Sequence, residues 1–219
     1  MDASDDILAV AKERLRREAA AVEAVAAGID EGFVRTASLI MSCPGKLFIG
    51  GSGTSGTVAS RMAHILAVTG TPAVPFSPAD SLHGSSGAIT ADDLVLLISN
   101  GGASDEVVGA ARVVQQRGTR VIALTGSHDT PLASIADHSV VVAVDPRADL
   151  GGVVATGITI AQSAWGDALA EVLMRGRGYT WDEFMSTHPA GAVGKLADLP
   201  PNPPPVSIPH LETIEGDQR

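Results

Sequence analysis

The feature that most restricts the fold of this chain is a regular alternation of short apolar runs and helical patterns. Five runs of strand composition occupy residues 47–49, 73–76, 94–98, 121–124 and 140–144. Apolar residues at helical spacing separate these runs. Strands that alternate with helices pair in parallel, because each helix returns the chain to the same end of the sheet. The sequence therefore predicts an α/β fold with a parallel sheet covered by helices on both faces.

Helices are predicted at residues 4–28, 30–42, 55–68, 104–116, 131–136, 156–174 and 181–186. The first helix has an apolar stripe with Val22, Val25 and Ala26, which needs a partner surface on its own domain or on another copy. From Pro200 onward, repeated prolines exclude a helix or a central strand and predict an extended arm or disorder. We therefore divide the chain into a domain at residues 1–197 and a proline-rich tail at residues 198–219.

Charge and composition exclude several classes of function. The net charge of −10 argues against a nucleic-acid partner, whose affinity would come from Lys and Arg. No apolar run is long enough to span a membrane, so no membrane partner is expected, and the acidic N-terminus is unlike a signal peptide. Cys43 is the only cysteine, which excludes an internal disulfide and indicates a cytoplasmic location.

Loops rich in glycine and hydroxyl residues follow three of the predicted strands, at residues 50–56, 99–104 and 125–130. The carboxyl ends of parallel strands meet at one edge of the sheet, where ligands bind. Helix N-termini there favour anions, and glycine allows the anion close to the backbone. Ser104 followed by two acidic residues also fits an ordinary helix cap, and this alternative stays open. The phosphate-binding candidates are Gly51, Ser52, Gly53, Thr54, Ser55, Ser99, Asn100, Gly101, Gly102 and Ser104.

Nucleotide cofactors fit these loops less well than a smaller phosphate ester does. Residues 51–56 satisfy G-x-G-x-x-G after a strand, but Ser77 stands where a dinucleotide site needs an acidic residue. A P-loop would need Lys and Ser or Thr after the last glycine, and Thr57 and Val58 follow instead. The sequence therefore predicts no cofactor. It also predicts no metal site, because no cysteine pair or second histidine lies at ligand spacing.

Two of the six histidines lie in loops that could direct an imidazole into a cleft. His83 lies in a glycine- and serine-rich segment between two strands, and His188 follows the last short helix. An imidazole can exchange protons near neutral pH, which makes both residues candidates for acid–base chemistry. Taken alone, each fits a structural role better than a catalytic one. The remaining histidines are interpreted as structural or incidental, with His128 a weak candidate.

Taken in order, the motifs resemble those of the sugar isomerase (SIS) domain family, in particular its arabinose-5-phosphate isomerase branch of the KpsF/GutQ type. The resemblance runs from about residue 6 to Lys195. The matching runs are GSGTSG at 51–56, VTGTPA at 68–73, PADSLHGSSGAI at 78–89, DDLVLLISNGGASDEV at 92–107, VIALTGSHDTPLASIAD at 121–137, GDAL at 166–169 and HPAGAVG at 188–194.

The resemblance implies a three-layer αβα sandwich with a five-stranded parallel sheet, assembled as a homodimer or homotetramer with shared active sites. It implies interconversion of an aldose phosphate and a ketose phosphate through a cis-enediol, with a phosphorylated sugar as the ligand. His188 matches the family's catalytic histidine and His83 its substrate-binding histidine. The matches to the phosphate-binding positions are Ser52, Ser55, Ser99 and Ser104, with Thr156 and Thr159 at the start of the last long helix.

The chain departs from the family pattern at several charged positions. Thr54 stands where relatives have Lys, and Ala103 and Arg147 stand where they have Glu. Without these charged side chains, the transition state loses electrostatic stabilisation. Two hypotheses follow: an isomerase whose substrate differs from arabinose 5-phosphate, or a non-catalytic phosphosugar-binding module.

Overall fold

The computed structural model describes residues 3–190, 194, 196 and 198–211. Helices and strands alternate along most of the described chain, as the sequence predicts. In chain order the elements are α1 (Ala3–Ala27), α2 (Glu31–Met41), β1 (Leu47–Gly51), α3 (Thr54–Val68), β2 (Ala73–Phe76), α4 (Pro78–Ser81), β3 (Leu94–Ile98), α5 (Asp105–Gln115), β4 (Arg120–Thr125), α6 (Pro131–Ile135), β5 (His138–Val141), α7 (Gly157–Arg177) and α8 (Trp181–Ser186).

The five strands form one parallel sheet in the order β2-β1-β3-β4-β5. The predicted fold class is therefore confirmed. The strand predicted at residues 140–144 begins two residues earlier, because His138 pairs with Ile122 of β4. The glycine- and serine-rich segment between β2 and β3, predicted to be a loop, instead contains α4 and a 3₁₀ turn at Ser85–Ala88.

Side chains of the central strands divide into two apolar cores, one on each face of the sheet. Leu94, Leu96 and Ile98 belong to the core under α1, α2, α3 and α7. Val95 and Leu97 belong to the core under α5 and α6. Because all five residues of β3 are buried, this strand has no polar alternation. Trp165 of α7 packs edge-on against Phe33 of α2, with ring centroids 5.5 Å apart, and joins these two helices over the first core.

Two glycines make the loops at the carboxyl edge possible. Gly53, at the start of α3, has φ +56°, and Gly102, before α5, has φ +59°. Both values lie in the left-handed region that other residues rarely adopt. A Cβ at Gly102 would also overlap the side chain of Thr130. This position requires glycine for conformation and for space.

Helix α7 spans the domain from one edge of the sheet to the other. Its first residue, Gly157, packs on Ala148, which follows the carboxyl end of β5. Its last residue, Arg177, donates to Thr71 (3.3 Å) and to the Ile40 carbonyl (3.4 Å), and Thr71 lies two residues before the start of β2. The helix covers about 30 Å at 1.5 Å per residue. The chain therefore leaves α7 at the amino edge, opposite the glycine-rich loops.

The described part of the tail, residues 198–211, forms no helix or strand at residues 199–210 and has hydrogen bonds with α7 and α8. Ile208 packs on Gly176, and both Ile208 and Leu211 pack against the core under α1, α2, α3 and α7. The sequence left open whether this segment is extended or disordered.

Among the described helices, none is both long and apolar enough to cross a lipid bilayer.

The substitution Gly102→Ala should lower the free energy of unfolding by about 1–3 kcal/mol, because alanine resists the positive φ and its methyl group meets Thr130. Gly101→Ala is the matched control. Gly101 is exposed, has no positive φ, and has open space around its Cβ position. Its change should stay within about 0.5 kcal/mol. Urea denaturation of both variants measures the difference, and equal losses would contradict this account of the loop.

Candidate functional site

The strand order creates a crevice between β1 and β3. From β1 the chain turns toward β2 through α3 on one face, and from β3 it turns toward β4 through α5 on the other face. Ligands of such sheets bind where the two connections diverge. The register pairs Gly51 with Ile98, so the loops at residues 52–53 and 99–104 begin side by side. Two of the three predicted phosphate loops therefore flank this crevice.

The first loop leaves the N-terminus of α3 without a side-chain cap. Its N-cap residue is Gly53, which makes no such hydrogen bond and has no side chain to do so. The turn is tight, since a Cβ at Gly51 would lie 2.7 Å from the carbonyl oxygen of Ser55. Thr54 is exposed and Ser55 is half-buried at the first turn of the helix. The positive end of α3 thus faces the crevice edge with hydroxyls beside it.

The second loop is fixed by backbone hydrogen bonds, and the side chain of its N-cap residue does not cap the helix that follows. The Ser99 N–H donates to the Leu124 carbonyl (3.1 Å), and the Gly102 N–H donates to the Ser99 carbonyl (3.1 Å). Ser99 is buried, and Asn100 and Gly101 are exposed. Ser104 occupies the N-cap position of α5, but its side chain makes no cap hydrogen bond. The ordinary capping interpretation of Ser104 is therefore not observed.

The third loop behaves differently, because its hydroxyls bond within the loop. Thr130 caps α6 by accepting from the Ala133 N–H (3.2 Å). Thr125 donates to the Ser127 carbonyl (2.8 Å), and the Ser127 hydroxyl accepts from the Asp129 N–H (3.1 Å). Capping explains this loop fully. The contrast singles out the first two loops as candidates for binding an anion.

Glu106 connects the two loops, and sequence reasoning considered it only as part of a helix cap. Hydrogen bonding from the Ser52 hydroxyl, and to a smaller extent from the Glu106 backbone N–H, holds the pKa of the Glu106 carboxyl below its ordinary value. A negative charge therefore lies beside one of the hydroxyls predicted to bind phosphate. The two residues are far apart in sequence, so no local pattern indicates their contact.

Thr156 and Thr159 lie at the start of α7, and their hydroxyls are bonded locally. Thr156 accepts from the Leu150 N–H (3.1 Å), and Thr159 donates to the Thr156 carbonyl (2.8 Å). The Asp149 carboxylate accepts from the Ile158 N–H (3.0 Å) and so occupies the N-terminus of this helix. These hydroxyls order the turn before α7, and their hydrogen bonds to described residues do not include the two serine loops.

His83 is exposed and follows α4, on the connection that leaves the carboxyl end of β2. The neighbouring residue Leu82 packs beside Gly109 of α5, 3.3 Å from the position of a Cβ there. Helix α5 begins at the second serine loop. His83 therefore lies on the same side of the sheet as that loop, near the carboxyl edge.

His188 follows α8, and its ring is held by two hydrogen-bonding atoms and one aromatic side chain. Its Nδ1 lies 2.7 Å from the Phe184 carbonyl oxygen and 3.1 Å from the Thr187 hydroxyl. The ring stacks on Phe184 with centroids 3.9 Å apart. A carbonyl oxygen can only accept, so Nδ1 carries the hydrogen and Nε2 presents the lone pair. This tautomer is the one that a proton-abstracting base needs.

One chain does not bring His188 to the serine loops. Helix α8 begins at the amino edge of the sheet, where Tyr179 packs on Gly70, and the loops lie at the carboxyl edge. The ring contacts described for His188 are with Phe184 and Thr187. Residues 191–193 of the HPAGAVG run lie outside the described part of the chain. The described contacts of His188 therefore include neither serine loop.

The positions that depart from the family pattern have local partners or are exposed. Arg147 forms an ion pair with Asp145 (2.5 Å), which lowers the pKa of the Asp145 carboxyl to about 2. Ala103 and Thr54 are exposed beside the crevice. Ser77, which stands where a dinucleotide site would need an acidic residue, caps α4 by accepting from the Asp80 N–H (3.2 Å).

Two other histidines have structural contacts. The His138 Nε2 lies 3.0 Å from the Gly32 carbonyl and 3.1 Å from the Thr36 hydroxyl, and burial lowers the pKa of this imidazole. It joins β5 to α2. His128 contacts the Ser139 hydroxyl at 2.9 Å. The described residues contain no group of three or more His, Cys, Asp or Glu side chains that could hold a metal ion.

Comparisons with known proteins agree with this architecture. The SIS domain model matches residues 40–172. The arabinose 5-phosphate isomerase KdsD of Pseudomonas aeruginosa is 35% identical over 190 residues, which cover 87% of this chain and 58% of the relative. The arabinose 5-phosphate isomerase GutQ of Salmonella typhi is 33% identical over 191 residues, 87% of this chain and 60% of the relative. The chain thus spans about three fifths of the length of these relatives.

One solved structure matches the fold of this chain over the whole length of the solved chain. An Escherichia coli CFT073 protein in complex with arabinose 5-phosphate has a TM-score of 0.82 and 31% identity, and the match covers 86% of this chain and 100% of that one. The family model covers more than half of the present chain. The glycine- and serine-rich loops of this chain lie at the β1/β3 crevice. The chain belongs to the SIS domain family.

Proposed function

We propose that this protein is a phosphosugar isomerase that interconverts an aldose phosphate and a ketose phosphate, similar to arabinose-5-phosphate isomerases but with its own substrate preference. The observation that carries the proposal is the pair of helix N-termini at the β1/β3 crevice. Neither α3 nor α5 has a side-chain cap from its N-cap residue, and hydroxyl residues border both. The relatives named as isomerases support the class of reaction.

The phosphoryl group would bind at these two N-termini. Backbone N–H groups and helix dipoles favour a dianion there, even in a protein whose net charge is −10. Ser52, Ser55, Ser99 and Ser104 supply hydroxyl donors around it. Thr54 stands where relatives carry a lysine, so the site relies on dipoles and hydroxyls instead of a formal positive charge at that position.

The chemistry requires one base for carbon-bound protons and one group for oxygen-bound protons. Nε2 of His188 takes the proton from C2 of the open-chain aldose phosphate while the oxygen at C1 gains a proton, giving a cis-enediol. The same nitrogen then returns the proton to C1 while the hydroxyl at C2 loses its proton, giving the ketose phosphate. His83 carries the oxygen-bound proton and polarises the carbonyl group.

A second copy of the chain would complete the site as a homodimer or homotetramer. Helix α8, which precedes His188, begins at the amino edge and the loops lie at the carboxyl edge, which supports a histidine supplied by a neighbouring protomer. An apolar surface fits this assembly. Ile7 and Val10 of α1 are 70% and 71% exposed, Val10 lies beside Leu150, and Val153 is 85% exposed. Covering these side chains would stabilise the oligomer.

A non-catalytic phosphosugar-binding module is the second candidate. Ala103 and Arg147 replace two glutamates of the family pattern, and the Arg147 guanidinium pairs with Asp145. Such a module would keep the serine loops and lose turnover. A thermal shift with sugar phosphates that are not converted would favour this candidate.

The substitution His188→Ala should abolish isomerisation and leave phosphate-ester binding nearly unchanged, because the imidazole is the base and the loops hold the phosphate. Turnover would be measured with pentose, tetrose and hexose phosphates, and binding by calorimetry. His64→Ala, on the exposed face of α3, is the control and should keep both properties. A wild-type protein that converts no sugar phosphate in this panel would contradict the isomerase proposal.

Mixing two inactive variants should restore activity if protomers share sites. His188→Ala removes the base, and Thr54→Asp places a negative charge at the exposed first turn of α3, which the helix dipole tolerates but phosphate does not. Random reassociation of a dimer leaves about a quarter of the sites with an intact loop and an intact histidine. Activity would be assayed after the mixture is refolded together.

The double variant Thr54→Asp/His188→Ala, mixed with His188→Ala, is the matched control and should recover nothing, since no chain then carries the base. Light scattering gives the oligomeric state in each mixture. If the two single variants form mixed oligomers and still show no activity, the shared-site arrangement is wrong.

The substitution Glu106→Gln should strengthen binding of inorganic phosphate about two- to tenfold, because it removes a negative charge that accepts a hydrogen bond from Ser52. Asp105→Asn makes the same charge change at the preceding, exposed residue and should have a smaller effect. Calorimetry measures both constants. Weaker binding in Glu106→Gln would indicate that this carboxylate orients Ser52 for the ligand instead of competing with it.

A further inference from the structure

We propose that the proline-rich tail positions His188 for catalysis, with Asn202 and Trp181 as positioning residues that act through α8. The proposal rests on the proposed isomerase function for its catalytic consequence. Its structural part concerns the geometry of one histidine ring and can be measured without turnover.

Helix α8 depends on contacts from outside the helix. It has six residues, and none of them is buried. A helix this short is unstable on its own, because nucleation costs more than a few hydrogen bonds return. Its N-terminus has an internal capping box between Thr180 and Glu183, but this box does not attach the helix to the domain.

The tail provides that attachment at the first turn of α8. The backbone N–H of Trp181 donates to Oδ1 of Asn202 at 2.8 Å, and its indole Nε1–H donates to the Pro201 carbonyl at 3.2 Å. One residue of the helix is thus held by two consecutive residues of the tail. The N–H of Trp181 is one of the first-turn groups that has no partner within a helix.

The tail is itself anchored to the body of the domain. The Arg175 Nε–H of α7 donates to the Pro204 carbonyl at 2.7 Å. Two residues further on, the chain reaches Val206, and Ile208 then packs on Gly176. Residues 200–205 include five prolines, whose fixed φ limits the conformations that the free segment can adopt. The segment between these anchors is therefore a stiff connection between α7 and α8.

Consecutive aromatic contacts link Trp181 to His188, so a shift of Trp181 also shifts the His188 ring. The Trp181 and Phe184 rings meet edge to face with centroids 5.9 Å apart. Phe184 stacks on His188 at 3.9 Å, and its carbonyl accepts from the His188 Nδ1–H at 2.7 Å. Any displacement of the Trp181 end of α8 therefore moves both the ring that supports His188 and the carbonyl that fixes its tautomer.

The experiment uses the full chain as the wild type and as the variants Asn202→Ala, Asn202→Asp and Ser207→Ala. Asp can accept the same hydrogen bond as Asn and should rescue, and Ser207 is an exposed tail residue that serves as the control. The readout is the proton resonance of His188 Cε1–H, which the stacked Phe184 ring displaces upfield. Asn202→Ala should move this resonance toward that of free histidine, and the other two variants should not.

The kinetic readout uses arabinose 5-phosphate and any other sugar phosphate that the wild type converts. Asn202→Ala should lower kcat at least about tenfold, because small misplacements of a catalytic group are costly, with KM within about twofold. Trp181→Phe, which keeps a ring but removes the indole N–H, should change kcat in the same direction and provides a second variant if Asn202→Ala does not fold.

A lower melting temperature with an unchanged His188 resonance and an unchanged kcat would show that the tail only stabilises the domain, and would overturn the proposal. If the wild type converts no sugar phosphate, the isomerase function fails. The resonance of His188 then still decides whether the tail sets the position of the ring.

Discussion

Parallel pairing of the five strands is the constraint on which the rest of the structure depends. It requires a crossover helix between successive strands, and the helices bury both faces of the sheet, so the strands carry apolar side chains on both sides. It also collects every strand-to-helix turn at one edge. Since β1 lies between β2 and β3, the turns after β1 and β3 diverge and leave a crevice bordered by two helix N-termini.

Helix α7 adds the second constraint. Because it runs about 30 Å from the carboxyl edge to the amino edge, α8 begins away from the crevice. His188 is the base in the proposed reaction, and the phosphate loops are its required partners. The separation between the start of α8 and these loops supports the proposed oligomer independently of the exposed apolar side chains on α1.

Charge at the crevice is unusual for an anion site. The molecule is acidic, Thr54 at the first turn of α3 is uncharged, and the Glu106 carboxylate lies near Ser52. Under the proposed function, binding of a phosphoryl group would rely on helix dipoles, N–H groups and hydroxyls, and it would compete with this carboxylate.

The sequence by itself determined the strands, most helix limits, the parallel sheet and the residues of the two serine loops. These features depend on local patterns: apolar runs, helical spacing, and glycines that permit turns after strands. The tertiary structure alone decided how the hydroxyls are used. Thr130 caps a helix whereas Ser104 does not, and Ser52 meets a carboxylate 54 residues away. It also decided that α8 begins at the opposite edge of the sheet and that the Trp181 N–H donates to Asn202, because such contacts depend on where helices end in space and leave no periodic signal in the chain.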